Sequence, residues 1–222
     1  MKQDPNKRPI RPHRSQAVHS HEVRIIGGQW KRTKLQVADK AGLRPTPDRV
    51  RETLFNWLGQ DLTGWRCLDA FAGTGALGFE AASRGATQVQ LVEHDAGLVA
   101  QLKRVQIQLQ ADAVQVTRGD GVAVLRHALG GSQDLIFIDP PFDSNVFESA
   151  VLAAAQALAL TGFVYLEAPR KWTDGQLQPA GLQLHRHLKA GMVHAHLLKR
   201  LAPDAAPAVD NESVSTAAEF LP

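Results

Sequence analysis

The sequence predicts a doubly wound α/β fold, in which helices cover both faces of a mostly parallel sheet. Short apolar runs rich in Val, Leu and Ile alternate with segments of helical period along most of the chain. Four of these runs lead to a carboxylate residue, and a glycine-rich loop follows the first of them. Because ligands bind beyond the carboxyl ends of parallel strands, the same pattern predicts a ligand site at one rim of the sheet.

Composition narrows the class of protein. The chain has 222 residues, of which 44% are hydrophobic and 21% are charged, as in globular proteins. No apolar run approaches the roughly 18 residues of a membrane span, and the first residues lack the apolar segment of a secretory signal. The single cysteine, Cys67, excludes an internal disulfide and is typical of a reducing compartment. We therefore expect a cytoplasmic protein without membrane contact.

Charge and composition also divide the chain. Residues 1–52 carry 13 Lys and Arg against 5 Asp and Glu, which predicts a polyanionic partner, although a solvated basic tail stays an alternative. Residues 1–21 are rich in Pro, Arg, His and Ser, and residues 202–222 are rich in Ala and Pro. Both are predicted to be disordered tails. Between them we predict a small β-hairpin over residues 22–40 and one α/β domain over residues 41–201.

The hairpin is predicted from two apolar runs that flank Gly27-Gly28. Its cations surround an aromatic ring, a combination that suits phosphate contacts and base stacking. The expected nucleic-acid surface consists of Arg24, Trp30, Lys31, Arg32, Lys34 and, just beyond the hairpin, Arg44. Packing of Trp30 onto the domain is an equal alternative.

A helix is predicted to follow, with Thr46 as its cap, Pro47 in its first turn and Gly59 at its end. Its apolar residues share one face at helical spacing, which assigns to the core Val50, Leu54, Trp57 and Leu58. The remaining arginines, available for ligand, nucleic acid or solvent, are Arg44, Arg49 and Arg51.

The first two strands of the domain enclose a glycine loop. One strand ends at Asp69, and the loop that contains Gly73 and Gly75 leads into a helix that ends near Arg84. The second strand ends at Glu93, at about the spacing at which an acid binds ribose hydroxyls in dinucleotide sites. A carboxylate just before the loop is unfavourable for a diphosphate, so a cationic or zwitterionic ligand is indicated.

The remaining elements alternate as the fold class requires. They are a helix over 96–110, a strand over 114–117 with a turn at Gly119-Asp120-Gly121, a helix to Leu129, a strand over 135–138, a helix with its apolar face at Phe147 to Leu158, a strand over 162–167 and a hairpin over 182–198 through Gly191. The histidines of that hairpin recur with a period of two and are assigned to solvent-facing sides, so no metal site is predicted: His185, His187, His194 and His196.

The strand over 135–138 stops at Asp139, which two prolines and Phe142 follow. A strand stop with a turn residue would explain this motif alone. However, four successive strands deliver a carboxylate to the same rim, with a glycine loop between the first two: Asp69, Glu93, Asp120 and Asp139. This coincidence predicts a functional site.

The glycine loop, the rim acids and Asp139-Pro-Pro-Phe142 resemble the S-adenosylmethionine-dependent methyltransferases that act on exocyclic amino groups. The segments 24–31, 43–46 and 48–58 narrow the resemblance to the RsmD-type bacterial enzymes, which methylate the 2-amino group of a guanine in 16S ribosomal RNA. The resemblance covers about residues 23 to 200. It implies a Rossmann-like, mostly parallel sheet of seven strands in the order 3-2-1-4-5-7-6, with the last strand antiparallel.

The resemblance also implies roles for the rim residues. The expected cofactor-binding residues for S-adenosylmethionine are Asp69, Phe71, Gly73, Thr74, Gly75, Glu93, Asp120 and Gly121. The expected catalytic residues are Asp139, Pro140 and Phe142, which would bind the amino group and stack on an extruded base. The partner would be 16S ribosomal RNA within a small-subunit assembly particle, with the enzyme a monomer. The alternatives are a DNA adenine methyltransferase, a non-catalytic RNA-binding protein and a nicotinamide-dependent oxidoreductase.

Overall fold

A computed structural model of the protein describes residues 22–36 and 46–201. The two predicted tails and Arg44 therefore lie outside the described residues. The elements in chain order are β1 Glu22–Arg24, β2 Lys34–Gln36, α1 Asp48–Trp57, β3 Arg66–Asp69, α2 Ala76–Ser83, β4 Gln88–Glu93, α3 Ala96–Leu109, β5 Val114–Arg118, α4 Gly121–His127, β6 Gln133–Ile138, α5 Phe147–Ala157, β7 Leu158–Ala168, α6 Asp174–Leu177, a 3₁₀ turn Gln178–Ala180, β8 Leu182–Ala190 and β9 Val193–Arg200.

Seven strands form one sheet in the order β5-β4-β3-β6-β7-β9-β8. The pairings among the first five are parallel, whereas β9 pairs antiparallel with both β7 and β8. Renumbered from β3, this is the order 3-2-1-4-5-7-6, so the predicted fold class is confirmed. The carboxyl ends of the five parallel strands meet at one rim. The β8–β9 turn reaches the same rim, because Ala168 at the end of β7 lies opposite His194.

Each face of the sheet has its own hydrophobic core, as the alternation of side chains along a strand requires. Phe137 of β6 and Tyr165 of β7 face α1, α2 and α3, together with Phe55 and Phe79. The intervening residues of the same strands, such as Leu166, face α4 and α5 on the opposite side. Within the described part of the chain, none of the helices combines the length and the apolarity that a membrane crossing requires.

The N-terminal hairpin pairs as predicted, with Val23 opposite Leu35, but the predicted two-residue turn is wrong. Gly27-Gly28 lies inside a longer loop between Arg24 and Lys34 that packs against the end of α2. A Cβ atom on Gly28 would lie 1.8 Å from the Ser83 carbonyl oxygen, and Gly28 has a φ of +70°. The glycine therefore permits close approach to a helix, which local sequence cannot reveal.

A buried carboxylate, Glu80 of α2, holds this loop in place. Its two oxygens accept the backbone N–H groups of Ile26 and Gly27, each at 2.7 Å. They also accept from Arg84 Nε at 2.9 Å and Arg51 Nη1 at 3.4 Å. The expectation that Arg51 is available to ligand or solvent is wrong, because its side chain is fully buried in this network. The hairpin is thus fixed to the domain by hydrogen bonds to a charged group, which are the stronger kind.

The histidines of the β8–β9 hairpin do not all face solvent. His196 is fully buried: its Nε2 accepts the Trp172 backbone N–H at 3.0 Å, and its Nδ1 lies 3.1 Å from the Leu166 carbonyl oxygen, to which it donates. Burial lowers the pKa of His196 to about 4, so it is neutral near pH 7. The simple alternation fails because the segment that contains Trp172 covers His196 on this face of β9, and because β8 contains an irregularity between Leu184 and Arg186. Among the described residues, no group of His, Cys, Asp or Glu is arranged to hold a metal ion.

Candidate active site

The glycine loop lies at the rim, between the end of β3 and the start of α2. Gly73 and Gly75 have φ values of +51° and +78°, a region that strongly favours glycine. A Cβ atom on Gly75 would also lie 2.6 Å from a methyl carbon of Leu102. Thr74 is buried, and its hydroxyl oxygen accepts the Ala76 N–H at 3.3 Å. The conformation of the loop therefore depends on these two glycines, and the loop lies directly beside the first rim acid.

That first acid, Asp69, is almost completely buried. Its carboxylate interacts with the backbone N–H groups of Phe71 and Gly78, yet its Oδ1 atom has no hydrogen-bond partner among the described residues. Burial is the main cause that raises the pKa of Asp69 to about 7. A buried acceptor without a partner costs about 1–3 kcal/mol. A ligand that supplied a donor or a positive charge would remove this cost.

Glu93 supports the glycine loop from the end of β4. Its Oε2 accepts the Gly73 N–H at 2.9 Å, and its Oε1 accepts the Asp95 N–H at 2.8 Å. The side chain is half-buried. Since an ionised carboxylate offers about four acceptor positions, Glu93 can still accept hydrogen bonds from ligand hydroxyl groups while it holds the loop.

The third rim acid lies at the start of α4. Asp120 caps this helix, with its Oδ1 accepting the Ala123 N–H at 2.7 Å, and it is exposed. Gly121 is buried against β3, where a Cβ atom would lie 1.9 Å from the Ala70 carbonyl oxygen. The need for glycine at 121 is thus explained by packing between α4 and β3. The predicted cofactor residues all gather around the ends of β3, β4 and β5.

The fourth acid, Asp139, is half-buried immediately after β6. Burial is the largest cause that raises the pKa of Asp139 well above its ordinary value, and the charges of Glu167 and Asp69 raise it further. Pro140 is buried and Phe142 is half-buried in the loop that leads to α5. The three expected catalytic residues therefore lie together, beside the glycine-loop site.

Sequence analysis did not predict the group of polar side chains beside Asp139, which consists of Thr46, Tyr165 and Glu167. The Tyr165 hydroxyl donates to Glu167 Oε1 at 2.6 Å, and Glu167 is almost completely buried near the end of β7. Thr46 was expected to cap α1, but this helix has no side-chain cap. Thr46 instead lies beside Asp139 and Glu167, where burial raises the pKa of both carboxyl groups and the Thr46 side chain acts in the opposite direction. Glu167 could have been found as a fifth strand-end acid, whereas nothing local links Thr46 to it.

This arrangement predicts that the charge of Glu167 tunes the protonation of Asp139. We expect the acidic limb of the pH–activity profile to move to lower pH in Glu167→Gln. The ionised Asp139 carboxylate is the stronger acceptor for the amino group, so activity declines toward a residual level as pH falls through its raised pKa, and removing the Glu167 charge lowers that pKa. Initial rates across a pH series measure the shift, with exposed Glu148→Gln as the control. An acidic limb at the wild-type position would contradict this role.

The expected nucleic-acid residues of the hairpin do not gather at the rim. Arg24 forms an ion pair with Asp48 at 3.3 Å, and Lys34 forms one with Glu22 at 2.7 Å. Trp30 is half-buried and packs against the core, the alternative left open above. Lys31 and Arg32 are exposed in the loop over the C-terminal end of α2. This end of α2 lies near the amino ends of the parallel strands, opposite to the rim.

Comparison with known proteins identifies the family. A family model described as Conserved hypothetical protein 95 matches residues 23–199. The chain is 40% identical over 185 residues to ribosomal RNA small subunit methyltransferase D of Escherichia coli K12, covering 82% of this chain and 92% of that protein. The chain belongs to this family, the RsmD family. The protein of the same name from Haemophilus influenzae is 37% identical over 178 residues, which cover 74% of this chain and 92% of that protein.

Solved structures agree with this assignment. The Escherichia coli protein yhhF has a TM-score of 0.71 at 40% identity, covering 82% of this chain and 99% of its own. A Haemophilus influenzae structure has a TM-score of 0.67 at 33% identity, with coverage of 82% and 100%. A structure from Pyrococcus horikoshii, at 22% identity and a TM-score of 0.61, shares the fold. The family match over residues 23–199 includes the seven-stranded sheet up to the penultimate residue of β9.

Proposed function

We propose that the protein transfers a methyl group from S-adenosylmethionine to the exocyclic 2-amino group of one guanine in 16S ribosomal RNA. The observation that carries the proposal is the placement of Asp139 and its proline loop beside a glycine loop and two further buried acids, Asp69 and Glu167. The RNA substrate is suggested by the names of the Escherichia coli and Haemophilus influenzae relatives. In this proposal the enzyme acts in the cytoplasm as a monomer, on a small-subunit assembly particle.

The residues at the glycine loop fit S-adenosylmethionine. The unpartnered Asp69 Oδ1 suits the positively charged methionine part, and Glu93 suits the ribose hydroxyl groups. Asp120 is proposed to lie near the adenine amino group, and Phe71, Thr74 and Gly121 complete the set. When bound, this molecule supplies an electrophilic methyl group on its sulfonium sulfur.

The cofactor assignment predicts a specific loss in Glu93→Ala. We expect S-adenosylmethionine affinity to weaken by about 1.5–3 kcal/mol, the scale of hydrogen bonds to charged groups. Part of the loss arises because the Gly73 N–H loses its acceptor. Titration calorimetry measures the affinity, and exposed Glu148→Ala is the control. Unchanged affinity in Glu93→Ala would remove this residue from the cofactor site.

The chain's own contribution to the reaction is orientation. The lone pair of a guanine 2-amino group is delocalised into the ring, so the group is a weak nucleophile. The Asp139 carboxylate and the Pro140 carbonyl are proposed to accept one hydrogen bond each from its two N–H groups, which turns the lone pair toward the methyl group. The methylated nitrogen then releases one of these protons to Asp139 or to solvent. Phe142 is proposed to stack on the extruded base. Alignment of two bound reactants supplies much of the rate, and no covalent enzyme intermediate is required.

Mass-spectrometric mapping of methylated nucleosides tests the function. Ribosomal RNA from cells that lack the gene is expected to lose one N2-methylguanosine in 16S RNA. The purified protein is expected to restore it in vitro when S-adenosylmethionine is added. An unchanged 16S pattern would contradict the proposal, and loss of N6-methyladenine from DNA would favour a DNA adenine methyltransferase.

A further inference from the structure

A second basic surface lies at the catalytic rim, on a part of the chain to which no nucleic-acid role was assigned. It is formed by the loop that follows β7 and by the β8–β9 turn. Antiparallel pairing brings these two segments together, because His194 lies opposite both Ala168 of β7 and Lys189 of β8. We call this the turn surface, defined by Arg170, Lys171, His187, Lys189 and His194.

The turn surface has exposed cations around paired aromatic rings. The rings of His187 and His194 meet edge to edge, with His187 Nε2 and His194 Nδ1 at a hydrogen-bond distance of 3.0 Å and centroids 5.2 Å apart. Arg170, Lys171 and Lys189 are exposed, and among the described residues none of these three forms an ion pair with a carboxylate. Burial, with nearby lysines contributing, lowers the pKa values of His187 and His194, so the rings are neutral near pH 7. Near pH 7 the positive charge of the turn surface therefore comes from its two lysines and its arginine.

The turn surface also lies at the same rim as the loop that follows Asp139, on the α5 side of the sheet. His187 lies opposite His196, whose ring accepts the backbone N–H of Trp172, the neighbour of Lys171. Trp172 belongs to the core that α5 covers, and the loop after Asp139 leads directly into α5. A polyanion on this surface would thus run past the loop that contains Asp139.

The N-terminal hairpin is less suitable for this task. Its cations Arg24 and Lys34 already have acidic partners. The exposed Lys31 and Arg32 lie at the C-terminal end of α2. This eight-residue helix begins at the rim and extends about 12 Å away from it, toward the amino ends of the parallel strands. Cations that must hold a substrate against Asp139 are better placed at the turn surface.

We propose that the turn surface is the phosphate-contacting surface that holds RNA against the Asp139 loop. The inference rests on the proposed function and adds the location of substrate binding to it. In this arrangement Lys171 and Lys189 contact phosphates, and counterions bound to the RNA are released. Arg170 adds to the positive potential of the surface. The two paired imidazoles present flat, neutral faces on which a base or sugar can pack.

The test measures binding of in vitro transcribed 16S ribosomal RNA over a series of potassium chloride concentrations. We expect the Lys171→Gln/Lys189→Gln variant to bind more weakly and to flatten the log–log salt dependence by about 0.7–0.9 per lost contact. The control is Lys103→Gln/Arg104→Gln, which removes the same charge from the exposed side of α3 and is expected to keep the wild-type slope. Lys31→Gln/Arg32→Gln tests the hairpin directly.

The outcomes separate this inference from the proposed function. An unaltered slope in the turn-surface variant overturns the inference, and so does an equal loss in the α3 control, because the effect would then reflect total charge alone. A larger loss in the hairpin variant also overturns it and moves the RNA surface to the hairpin. If wild-type protein methylates 16S RNA while the turn-surface slope is unaltered, the function stands and only the surface is wrong. If wild-type protein neither binds nor methylates this RNA or small-subunit particles from cells that lack the gene, both are wrong.

Discussion

Asp139→Ala is expected to lower turnover by about 10²-fold or more while S-adenosylmethionine affinity stays near that of wild type. Loss of the carboxylate removes one of the two proposed acceptors that align the amino group, and misplacement of a reacting group can cost this much. Affinity is retained because the proposed cofactor contacts lie at the ends of β3, β4 and β5, whereas Asp139 follows β6. Single-turnover rates measure the loss without interference from product release.

Asp139→Asn separates hydrogen bonding from charge. An amide oxygen still accepts a hydrogen bond, so we expect appreciable residual activity in the Asn variant and very little in the Ala variant. If both variants are equally inactive, negative charge or proton acceptance at this position is essential. If both stay fully active, Asp139 is not the centre of the reaction. Calorimetric binding of S-adenosylmethionine to each variant serves as the folding control.

The second large effect concerns stability. We expect Glu80→Ala to lower the free energy of unfolding by about 3–5 kcal/mol, the cost of breaking a buried ion pair by removing one partner. The substitution leaves the buried guanidinium groups of Arg51 and Arg84 without their shared carboxylate. It also leaves the N–H groups of Ile26 and Gly27 without an acceptor, which releases the hairpin loop from α2. Urea denaturation followed by circular dichroism measures the change.

Glu52→Ala is the matched control for this experiment, because Glu52 is also a helical glutamate but is exposed. Surface substitutions of this kind usually change stability by less than about 0.5 kcal/mol. Glu80→Gln preserves the shape of the side chain and is expected to fall between the two. A loss below about 1 kcal/mol in Glu80→Ala would show that the network around Arg51 contributes little beyond its own desolvation cost.

The sheet and most of the rim could be predicted from sequence because their signals are local. Apolar runs of strand length, each leading to a carboxylate, identified β3, β4 and β6 and therefore the positions of Asp69, Glu93 and Asp139. The glycine loop was readable because Gly73 and Gly75 adopt backbone conformations that other residues avoid. Each of these inferences needs only a few adjacent residues, and the fold class then places them at one rim.

The errors concern contacts between residues far apart in the chain. Thr46 has the local pattern of a cap but interacts with side chains about a hundred residues later in the sequence, those of Asp139 and Glu167. Gly28 has the pattern of a turn but is fitted to Ser83. His196 follows an alternating pattern but is buried under the segment that contains Trp172. In each case tertiary packing determines the outcome, and local propensity carries no information about it.

The position of β9 has a consequence for how the chain is made. The last strand of the described residues, Val193–Arg200, lies between β7 and β8, which never pair with each other directly. During synthesis, β7 therefore emerges from the ribosome with one edge open, and β8 has no sheet to join until residue 200 is available. Such non-local pairing is slow, and an unpaired edge is a site of aggregation. Completion of the sheet is thus a late step in folding, and a chain that ends before β9 would leave the edge of β7 open permanently.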